Sequence, residues 1–278
     1  MVPAGAGGRG AQLKRPSMAL PQTPSFRLSG RCALVTGGSK GIGLAAAAAL
    51  LQAGADVTIA ARSEAELDLA AQQLRDARSS PDQIIHAERL DVTDARAVAA
   101  MVARQAVQHP FDILVNNAGM NRPGALADMD DANLDAVLDL NVKAAFYVAR
   151  EVVKALLAAG RGGSIINMSS QMGHVGGPRR TLYCATKHAI EGMTKALAWE
   201  VGRQGIRVNS LCPTYIETDL TAQMLNDPEF RAFAENGTAL GRIGRVEEIM
   251  GAVVFLASDA SSLTTGSALM VDGGWTAR

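Results

Sequence analysis

The sequence predicts an α/β fold built on a doubly wound parallel sheet with helices on both faces. From Arg31 onward, short apolar runs alternate with longer amphipathic stretches, which is typical of parallel strands joined by right-handed helical crossovers. The apolar runs lack polar/apolar alternation, so both faces of the sheet should be covered. No linker-like segment interrupts this pattern after residue 30, and we therefore expect one domain over residues 28–278.

The bounds of these runs predict seven strands and the helices between them. The strands are predicted at 32–36, 56–61, 84–90, 112–116, 164–168, 206–212 and 268–271. Helices are predicted at 41–53, 94–108, 130–157, 182–203 and 246–258. A further helix begins after Ser63, with Glu66 three positions on as in a capping box. This order of elements predicts a single Rossmann-type domain of about seven strands.

The beginning of the chain differs from the rest. The first 25 residues are rich in Gly, Ala and Pro, contain Arg9, Lys14 and Arg15, and have no acidic residue. Transit peptides share this basic, acid-poor character. A disordered leader accounts for it as well, because Met18 is an equally good start. We expect residues 1–27 to be a disordered or leader segment outside the fold.

Composition and charge narrow the functional class. Lys and Arg together number 27, as do Asp and Glu, so the net charge of zero favours neither nucleic acid nor a membrane surface as partner. The three cysteines are widely spaced and form no CxxC pair, which argues against disulfides and a zinc site. No apolar run reaches the ~18 residues that span a bilayer. We expect a cytoplasmic protein without a metal, or an imported one if the first residues are a transit peptide.

The segment 215–244 is the weakest part of the pattern. It is polar, is interrupted by Pro228 and Gly237, and is too long for a typical connection. Long insertions of this kind often form lids over a site, so we expect a lid-like segment here. Its apolar residues, which either cover an apolar substrate or form helix core, are Met224, Leu225, Phe230 and Phe233.

A glycine-rich turn follows the first predicted strand, with the sequence TGGSKGIG at 36–43. Glycines at 37, 41 and 43 permit a tight turn, a close approach of backbone to a pyrophosphate, and close packing of helix on sheet. The helix that begins here directs N–H groups and a partial positive charge at phosphates. Three glycines alone are a weak signal, but their place in the first strand-to-helix turn predicts a dinucleotide site.

The end of the second strand favours NADP(H) over NAD(H). An acid there would bind the ribose 2′-hydroxyl and repel a 2′-phosphate, but this chain has Ala61 followed by Arg62. Ser39 and Lys40 lie in the glycine turn and should be close by. Either cation alone is more simply a solvated surface charge. Together with the missing acid, the two cations and the hydroxyl suit a 2′-phosphate.

Tyr183 and Lys187 are four residues apart at the start of a predicted helix, so they share one face. A free tyrosine has a pKa of about 10, and a nearby ammonium would move that pKa toward the working range of a proton-transfer group. Ser170 follows the fifth strand, at the edge of the sheet where ligands bind, and its hydroxyl would stabilise charge on a substrate oxygen. A lone Tyr-x-x-x-Lys is usually an ordinary surface pair.

Several motifs together resemble the classical short-chain dehydrogenase/reductase family, over nearly the whole chain from about Leu28 to Trp275. They are TGGSKGIG at 36–43, DV at 91–92, NNAG at 116–119, Asn141, SS at 169–170, YCATK at 183–187 and VDGG at 271–274. Their order and spacing agree with the family, and the thirteen-residue step to Tyr183 favours Ser170 over Ser169 as the catalytic serine.

The resemblance implies a catalytic role for each matched side chain. Tyr183 would be the general acid in reduction and the base in oxidation, and Ser170 would orient the carbonyl. Lys187 would lower the pKa of Tyr183 and hold the nicotinamide ribose. Asn141 would anchor a water that links Lys187 to solvent, although a polar side chain tied into backbone remains an alternative.

The resemblance also implies which residues contact the cofactor. Asp91 and Val92 would contact adenine, and Asn117 would mainly brace the central strands. Ala118 and Gly119 would let the dinucleotide pass close, and Ile216 and Thr218 would touch the carboxamide end. The full expected set is Gly37, Ser39, Lys40, Gly41, Ile42, Gly43, Ala61, Arg62, Asp91, Val92, Asn117, Ala118, Gly119, Tyr183, Lys187, Pro213, Ile216 and Thr218.

One position departs from the family pattern, and the substrate pocket is weakly specified. Pro213-Thr214 stands where the family usually has Pro-Gly, and threonine lacks glycine's torsional freedom. In the loop 171–182, His174 is interpreted as a residue that shapes the pocket. Arg179 and Arg180 are interpreted as solvated charges, with a carboxylate or an acidic carrier protein as the alternative ligand.

These features predict an NADPH-dependent oxidoreductase that reduces a ketone or aldehyde to an alcohol, reversibly, on a small-molecule substrate. A β-ketoacyl-thioester reductase is a subcase, and a dinucleotide-binding regulator without turnover is the alternative from another class. An extended-type epimerase is disfavoured, because the residues after Pro213 are too few for its larger substrate domain. The resemblance implies a homo-oligomer, a tetramer or dimer joined through the long helices at 130–157 and 182–203.

Overall fold

A seven-stranded parallel sheet organises the chain, as the sequence predicts. The computed structural model describes residues 20–277, so residues 1–19 of the expected leader lie outside the described residues, while 20–27 are exposed and without helix or strand. The sheet order is β3-β2-β1-β4-β5-β6-β7. The strands are β1 (Cys32–Thr36), β2 (Asp56–Ala61), β3 (Ile85–Arg89), β4 (Ile113–Asn116), β5 (Gly163–Met168), β6 (Ile206–Pro213) and β7 (Ala268–Val271).

Helices connect the strands and cover both faces of the sheet. They are α1 (Gly41–Gln52), α2 (Glu64–Asp76), α3 (Ala95–Ala106), α4 (Asp131–Leu138), α5 (Ala144–Ala158), α6 (Thr181–Val201), α7 (Asp219–Leu225), α8 (Pro228–Asn236) and α9 (Glu247–Ala257). The predicted helix at 130–157 is interrupted by a π-helical turn at Asp139–Lys143, between α4 and α5. No helix within residues 20–277 is both long and apolar enough to cross a membrane.

Two hydrophobic layers hold the sheet, one on each face. On one face α1, α2 and α9 pack through buried residues such as Leu50, Leu67 and Val253. On the other face α3, α5 and α6 pack through residues such as Met101 and Val152. Burial of these aliphatic side chains stabilises the fold by about 1.5–3 kcal/mol each. Both faces are therefore covered, except along β3, an edge strand on which His86 and Arg89 are exposed.

The order of the strands creates a crevice at the carboxyl edge of the sheet. The chain runs outward from β1 to β2 and β3 and then returns to β4 on the other side of β1. The register aligns Val35 of β1 with Ile59 of β2 and with Val115 of β4. The loops that follow the neighbouring strands β1 and β4 therefore leave the sheet in opposite directions. In doubly wound sheets, ligands bind in the crevice between two such loops.

The segment expected to be lid-like contains α7 and α8 and has its own small core. Leu225, Ala234 and Ile243 are buried together, with Tyr215 and Phe230 packed against them. Of the apolar residues predicted here, Leu225 and Phe230 therefore belong to helix core, whereas Phe233 is 45% exposed. The segment is thus a packed unit rather than an irregular loop.

Candidate active site

The glycine turn after β1 has the backbone that a bound pyrophosphate needs. Gly37 and Gly41 have φ angles of +62° and +55°, which favour glycine. Asn117 Nδ2 donates to the carbonyl oxygens of Thr36 at 3.0 Å and Gly37 at 3.2 Å, which ties β4 to the turn. A Cβ on Gly43 would collide with the Gly37 carbonyl and with Asn117. The turn therefore presents bare backbone and the first N–H groups of α1, including that of Ile42, to the crevice.

Other expected cofactor contacts lie around this turn. A Cβ built on Gly41 would lie 3.5 Å from Thr218 Cγ2, so the start of α7 reaches the turn from the far side of the crevice. Ala118 N donates to Thr36 Oγ1 at 3.1 Å. Gly119 is exposed in the loop after β4, whereas Ile216 is buried. The structure thus brings both ends of the expected dinucleotide site to one edge of the sheet.

The adenosine end of the crevice has charged groups of both signs. Arg62 is exposed just after Ala61, the last residue of β2, and Val92 is buried next to Asp91. Asp91 accepts hydrogen bonds from Thr93, which lower its pKa, and the nearby Arg62 contributes a smaller lowering. Arg62 and Asp91 are therefore close enough to interact.

Glu66 binds both polar side chains of the glycine turn, Ser39 and Lys40. Its Oε1 lies 2.7 Å from Lys40 Nζ, and its Oε2 accepts from Ser39 Oγ at 3.2 Å. The hydrogen bond from Lys40 is the largest cause of a lowered Glu66 pKa. The predicted capping box is wrong in one half: Ser63 Oγ accepts from Glu66 N at 3.4 Å, but the Glu66 carboxylate binds the turn instead of returning to Ser63.

Two buried polar atoms lie in the segments that follow β4 and β6. Thr214 Oγ1 and Asn121 Oδ1 are buried and have no hydrogen-bond partner among residues 20–277. Within that range Arg179 is the non-glycine residue with a positive φ, so Thr214 adopts an ordinary backbone and its replacement of glycine causes no strain. With the bare backbone of the glycine turn, these unpaired atoms fit a dinucleotide that offers phosphates at one end and an amide at the other.

Ser170 and Tyr183 meet at the carboxyl edge of β5. Ser170 follows this strand, and Tyr183 lies in the first turn of α6, where a hydrogen bond between their side chains lowers the pKa of Tyr183. Ser170 Oγ also accepts from Met172 N at 3.2 Å and lies 3.5 Å from the Pro213 carbonyl oxygen. Ser170 and Tyr183 therefore lie next to each other at this edge of the sheet.

Lys187 lies beneath the Tyr183 ring, one helical turn along α6. Its Nζ donates to the Met168 carbonyl at 2.8 Å and lies 5.5 Å from the ring centroid. Burial lowers the pKa of Lys187 to about 8. Burial raises the pKa of Tyr183 to about 12, against lowering by the Ser170 hydrogen bond and the Arg180 charge. In this arrangement the ammonium contacts the ring and the Met168 carbonyl, and the lowering of the Tyr183 pKa by Lys187 remains a prediction.

Asn141 lies in the π-helical turn between α4 and α5 and is 3% exposed. Its amide is paired with the loop after β4, since Oδ1 accepts from Met120 N and Nδ2 donates to Met120 O, both at 2.8 Å. Nδ2 also lies 3.2 Å from Thr186 Oγ1, next to Lys187 in the chain. Asn141 thus joins the loop after β4 to α6, and its link to Lys187 through water remains a prediction.

Arg180 lies beside Tyr183, in a place that the preferred sequence interpretation did not give it. Its expected place as a solvated charge is wrong: it is 7% exposed, its guanidinium contacts Met224 Sδ at 3.6 Å, and it hydrogen-bonds Tyr215. Its positive charge also reaches Tyr183. Arg179 is exposed, as expected. Nothing in the local sequence separates the two arginines, because the burial of Arg180 depends on the segment around Tyr215 and Met224.

A second group of side chains lies behind Lys187 and was likewise not predicted. His174, Glu191 and Cys212 come together from three different elements. Burial, and then the negative charge of Glu191, raise the pKa of the Cys212 thiol to about 12, so this thiol is protonated and donates to Glu191 Oε1 at 3.3 Å. The His174 ring faces this group, and its expected role in shaping the substrate pocket remains a prediction.

Known proteins share both the sequence and the fold. A family model described as Enoyl-(Acyl carrier protein) reductase matches residues 37–276. The chain is 39% identical to gluconate 5-dehydrogenase of Gluconobacter oxydans (strain 621H), over 90% of this chain and 96% of that protein. It is 37% identical to a 3-oxoacyl-[acyl-carrier-protein] reductase of Thermotoga maritima (strain ATCC 43589 / DSM 3109 / JCM 10099 / NBRC 100826 / MSB8), over 90% of this chain and 99% of that protein.

A solved structure agrees with the same assignment. The gluconate 5-dehydrogenase of Burkholderia cenocepacia J2315, in complex with NADP and tartrate, superposes with a TM-score of 0.86 at 36% identity, covering 91% of this chain and 98% of that one. The chain belongs to the classical short-chain dehydrogenase/reductase family. It is an NAD(P)-dependent oxidoreductase that acts on small-molecule alcohol or ketone substrates.

Proposed function

We propose that the chain is an NADP(H)-dependent carbonyl reductase that interconverts small hydroxylated keto acids and their alcohols. The observation that carries this proposal is the group formed by Ser170, Tyr183 and Arg180. Ser170 and Arg180 both lower the pKa of Tyr183, and Arg180 is itself buried, so a hydroxyl and a cation lie next to the phenol. The hydroxyls suit a carbonyl oxygen, and the cation suits a carboxylate on the same molecule.

The side chains divide the work of proton transfer and orientation. The nicotinamide supplies or accepts the hydride. In reduction, Tyr183 donates its phenolic proton to the carbonyl oxygen, which becomes the alcohol, while Ser170 holds that oxygen by a hydrogen bond. A phenol with a pKa raised to about 12 is protonated at neutral pH. At neutral pH, Tyr183 therefore already has the proton that reduction requires. Oxidation requires the phenolate, so its rate should increase as the pH rises.

The preference for the phosphorylated cofactor rests on the end of β2. Ala61 and Arg62 stand where an acid would select NAD(H), and Lys40 and Ser39 face the same region from the glycine turn. A similar gluconate 5-dehydrogenase has been solved with NADP. Glu66 opposes this preference by neutralising Lys40, so Arg62 is the cation that contributes most.

The keto-acid preference rests on Arg180. A buried guanidinium with a carboxylate ligand makes short, charge-assisted hydrogen bonds, and Arg180 lies beside Tyr183 and Tyr215. Two proteins similar to this chain are gluconate 5-dehydrogenases, one of them solved with tartrate. A similar 3-oxoacyl reductase points to thioesters as the competing substrate class.

The test is an NADPH-oxidation screen over hydroxylated keto acids, neutral ketones of matched size and ketoacyl thioesters. We expect the highest kcat/KM with the keto acids. In Arg180→Leu this value should fall by about 100-fold, corresponding to one charge-assisted pair, while neutral ketones change little. Arg179→Asn is the matched control, because it removes the neighbouring charge and tolerates the positive φ. Turnover of thioesters alone would reassign the substrate, and NADPH binding without turnover of any carbonyl would indicate a regulator.

We also propose that the protein is a homo-oligomer joined through α5 and α6. Trp199 on α6 is 90% exposed, and Phe146 and Leu157 on α5 are 48% and 45% exposed. Large exposed apolar side chains on these two long helices favour a protein–protein contact.

A further inference from the structure

His174, Glu191 and Cys212 form a compact group on three rigid elements. His174 follows the short turn at Gln171–Gly173, Glu191 lies on α6, and Cys212 lies near the end of β6. His174 Nε2 lies 3.6 Å from Cys212 Sγ and 3.5 Å from Glu191 Oε1, and Cys212 Sγ lies 3.3 Å from the same oxygen. Three different ligand atoms thus form a nearly equilateral triangle.

The group has the surroundings of a preorganised site. Glu191 is 4% exposed and Cys212 is fully buried, whereas 29% of the His174 side chain is open to solvent. Ser210 Oγ donates to Glu191 Oε2 at 2.8 Å, which fixes the carboxylate and directs Oε1 at the other two atoms. Such outer hydrogen bonds orient the ligands of metal ions in proteins. His174 provides the route from solvent.

We propose that this triangle binds a single divalent cation of the zinc class. Tetrahedral zinc with sulfur at ~2.3 Å and nitrogen or oxygen at ~2.0–2.2 Å places pairs of ligands about 3.3–3.7 Å apart. The two separations that involve His174 Nε2 fall within that range, and the 3.3 Å between Cys212 Sγ and Glu191 Oε1 lies at its lower end, so binding needs a small outward shift of the sulfur. A thiolate and a carboxylate together balance the charge of a divalent ion. Ser169 Oγ is buried and lies beside Cys212, and a water molecule would complete the four ligands of the ion.

Binding exchanges a proton for the metal. The Cys212 thiol loses its proton to solvent as the sulfur–metal bond forms. Glu191 Oε1 then no longer accepts a hydrogen bond from this thiol and coordinates the ion instead. The balance is one cation taken up and one proton released, with no change in oxidation state. The site is distinct from the reacting hydroxyls of Ser170 and Tyr183, so this inference does not depend on the proposed function.

The test is a titration of the purified full chain, freed of metal by a chelator, with Co²⁺. We expect one equivalent to bind, with an intense thiolate-to-cobalt absorption in the near ultraviolet and visible bands of tetrahedral cobalt, both abolished by one equivalent of Zn²⁺. Zn²⁺ should also raise the Tm and release about one proton per site. The absence of a thiolate band would overturn the proposal and leave the group as a hydrogen-bond network around Glu191.

Variants separate this site from adventitious binding. His174→Ala changes a side chain near the surface and should weaken Co²⁺ binding by 10-fold or more, with the fold retained by circular dichroism. Cys212→Ser should abolish the thiolate band. Cys184→Ser is the matched control and should leave it unchanged, because Cys184 is a half-buried cysteine outside the group. A band that survives in Cys212→Ser, or an affinity unchanged in His174→Ala, would place the metal elsewhere and refute the proposal.

Discussion

Glu66 and Lys40 form a 2.7 Å ion pair beside the turn that is expected to hold the cofactor phosphates. The pair is partly exposed, with 60% of the Lys40 side chain and 42% of the Glu66 side chain open to solvent. A 2′-phosphate near Lys40 would meet the Glu66 carboxylate as a like charge. We therefore expect Glu66 to weaken the proposed preference for NADP(H).

We predict that Glu66→Gln lowers the KM for NADPH by about two- to fivefold, the size expected when one exposed charge is removed. The KM for NADH should change little, because that cofactor lacks the phosphate. Glu64→Gln is the control, since it removes an exposed charge from the same first turn of α2. Equal changes for the two cofactors would mean that Glu66 acts on the turn and not on the phosphate.

Arg62→Asp should have the opposite and larger effect. It removes a cation from the end of β2 and supplies the acid that selects the free 2′-hydroxyl. We expect the KM for NADPH to rise by more than about 10-fold while that for NADH falls or stays constant. Steady-state kinetics with both cofactors measures this, and parallel changes would mean that Arg62 does not touch the phosphate.

Tyr183→Phe should abolish turnover and leave the dinucleotide site intact. Loss of a positioned acid costs about 100- to 10,000-fold in rate, while the Kd for NADPH should stay within about twofold because the ring remains. Tyr147→Phe on α5 is the matched control and should retain wild-type activity. Stopped-flow or fluorescence binding separates the two readouts, and an active Tyr183→Phe would refute the assignment of the general acid.

Lys187 should make stability depend on pH. Burial lowers its pKa from 10.5 to about 8, so between these values the unfolded chain binds a proton that the folded chain does not. The free energy of unfolding should therefore rise with pH across this window, and below it the buried charge costs the folded state about 3 kcal/mol. Lys187→Met removes this dependence. Urea unfolding of both proteins at pH 8 and pH 10.5 measures this dependence. If the free energy of unfolding changed equally with pH in the two proteins, the prediction would be contradicted.

Trp199→Glu should reduce the oligomeric state. A carboxylate on the exposed surface of α6 cannot be buried against a second copy without a large desolvation cost. Size-exclusion chromatography with light scattering should report a smaller particle. Val107→Glu is the control, because Val107 is 86% exposed but follows α3 rather than α5 or α6. An unchanged mass in Trp199→Glu would exclude α6 from the contact.

The pattern of apolar residues along the sequence predicted most of the fold, because each strand is a short apolar run bounded by glycine or polar residues. The bounds predicted for β2 match those of the structure, since Gly54 precedes it and Arg62 follows it. The π-helical turn at Asp139–Lys143 was not predicted, because an enlarged turn hardly alters a helical pattern of apolar residues. The helices α7 and α8 were missed for another reason, since Pro228 was interpreted as an interruption and instead begins α8.

Residues of the candidate site could be predicted where they belong to sequence motifs. They could not be predicted where their position depends on contacts between distant elements of the fold. Ser170, Tyr183 and Lys187 were found from their order and spacing. The burial of Arg180 and the pairing of Glu66 with Lys40 depend on which elements pack together, and the sequence around each residue does not encode that. His174 and Cys212 are 38 residues apart, and no ligand motif of short spacing links them.

Trp275 packs against the segment that contains α7 and α8. Its ring meets Tyr215 and Phe233 edge to face, with centroids 5.6 Å apart in each pair, and a Cβ on Gly237 would overlap it. A polypeptide fused just beyond Trp275 would disturb these aromatic contacts, which hold α7 and α8 in place. Purification handles or reporter fusions attached there should therefore destabilise the packing of α7 and α8, and a lower Tm would report this.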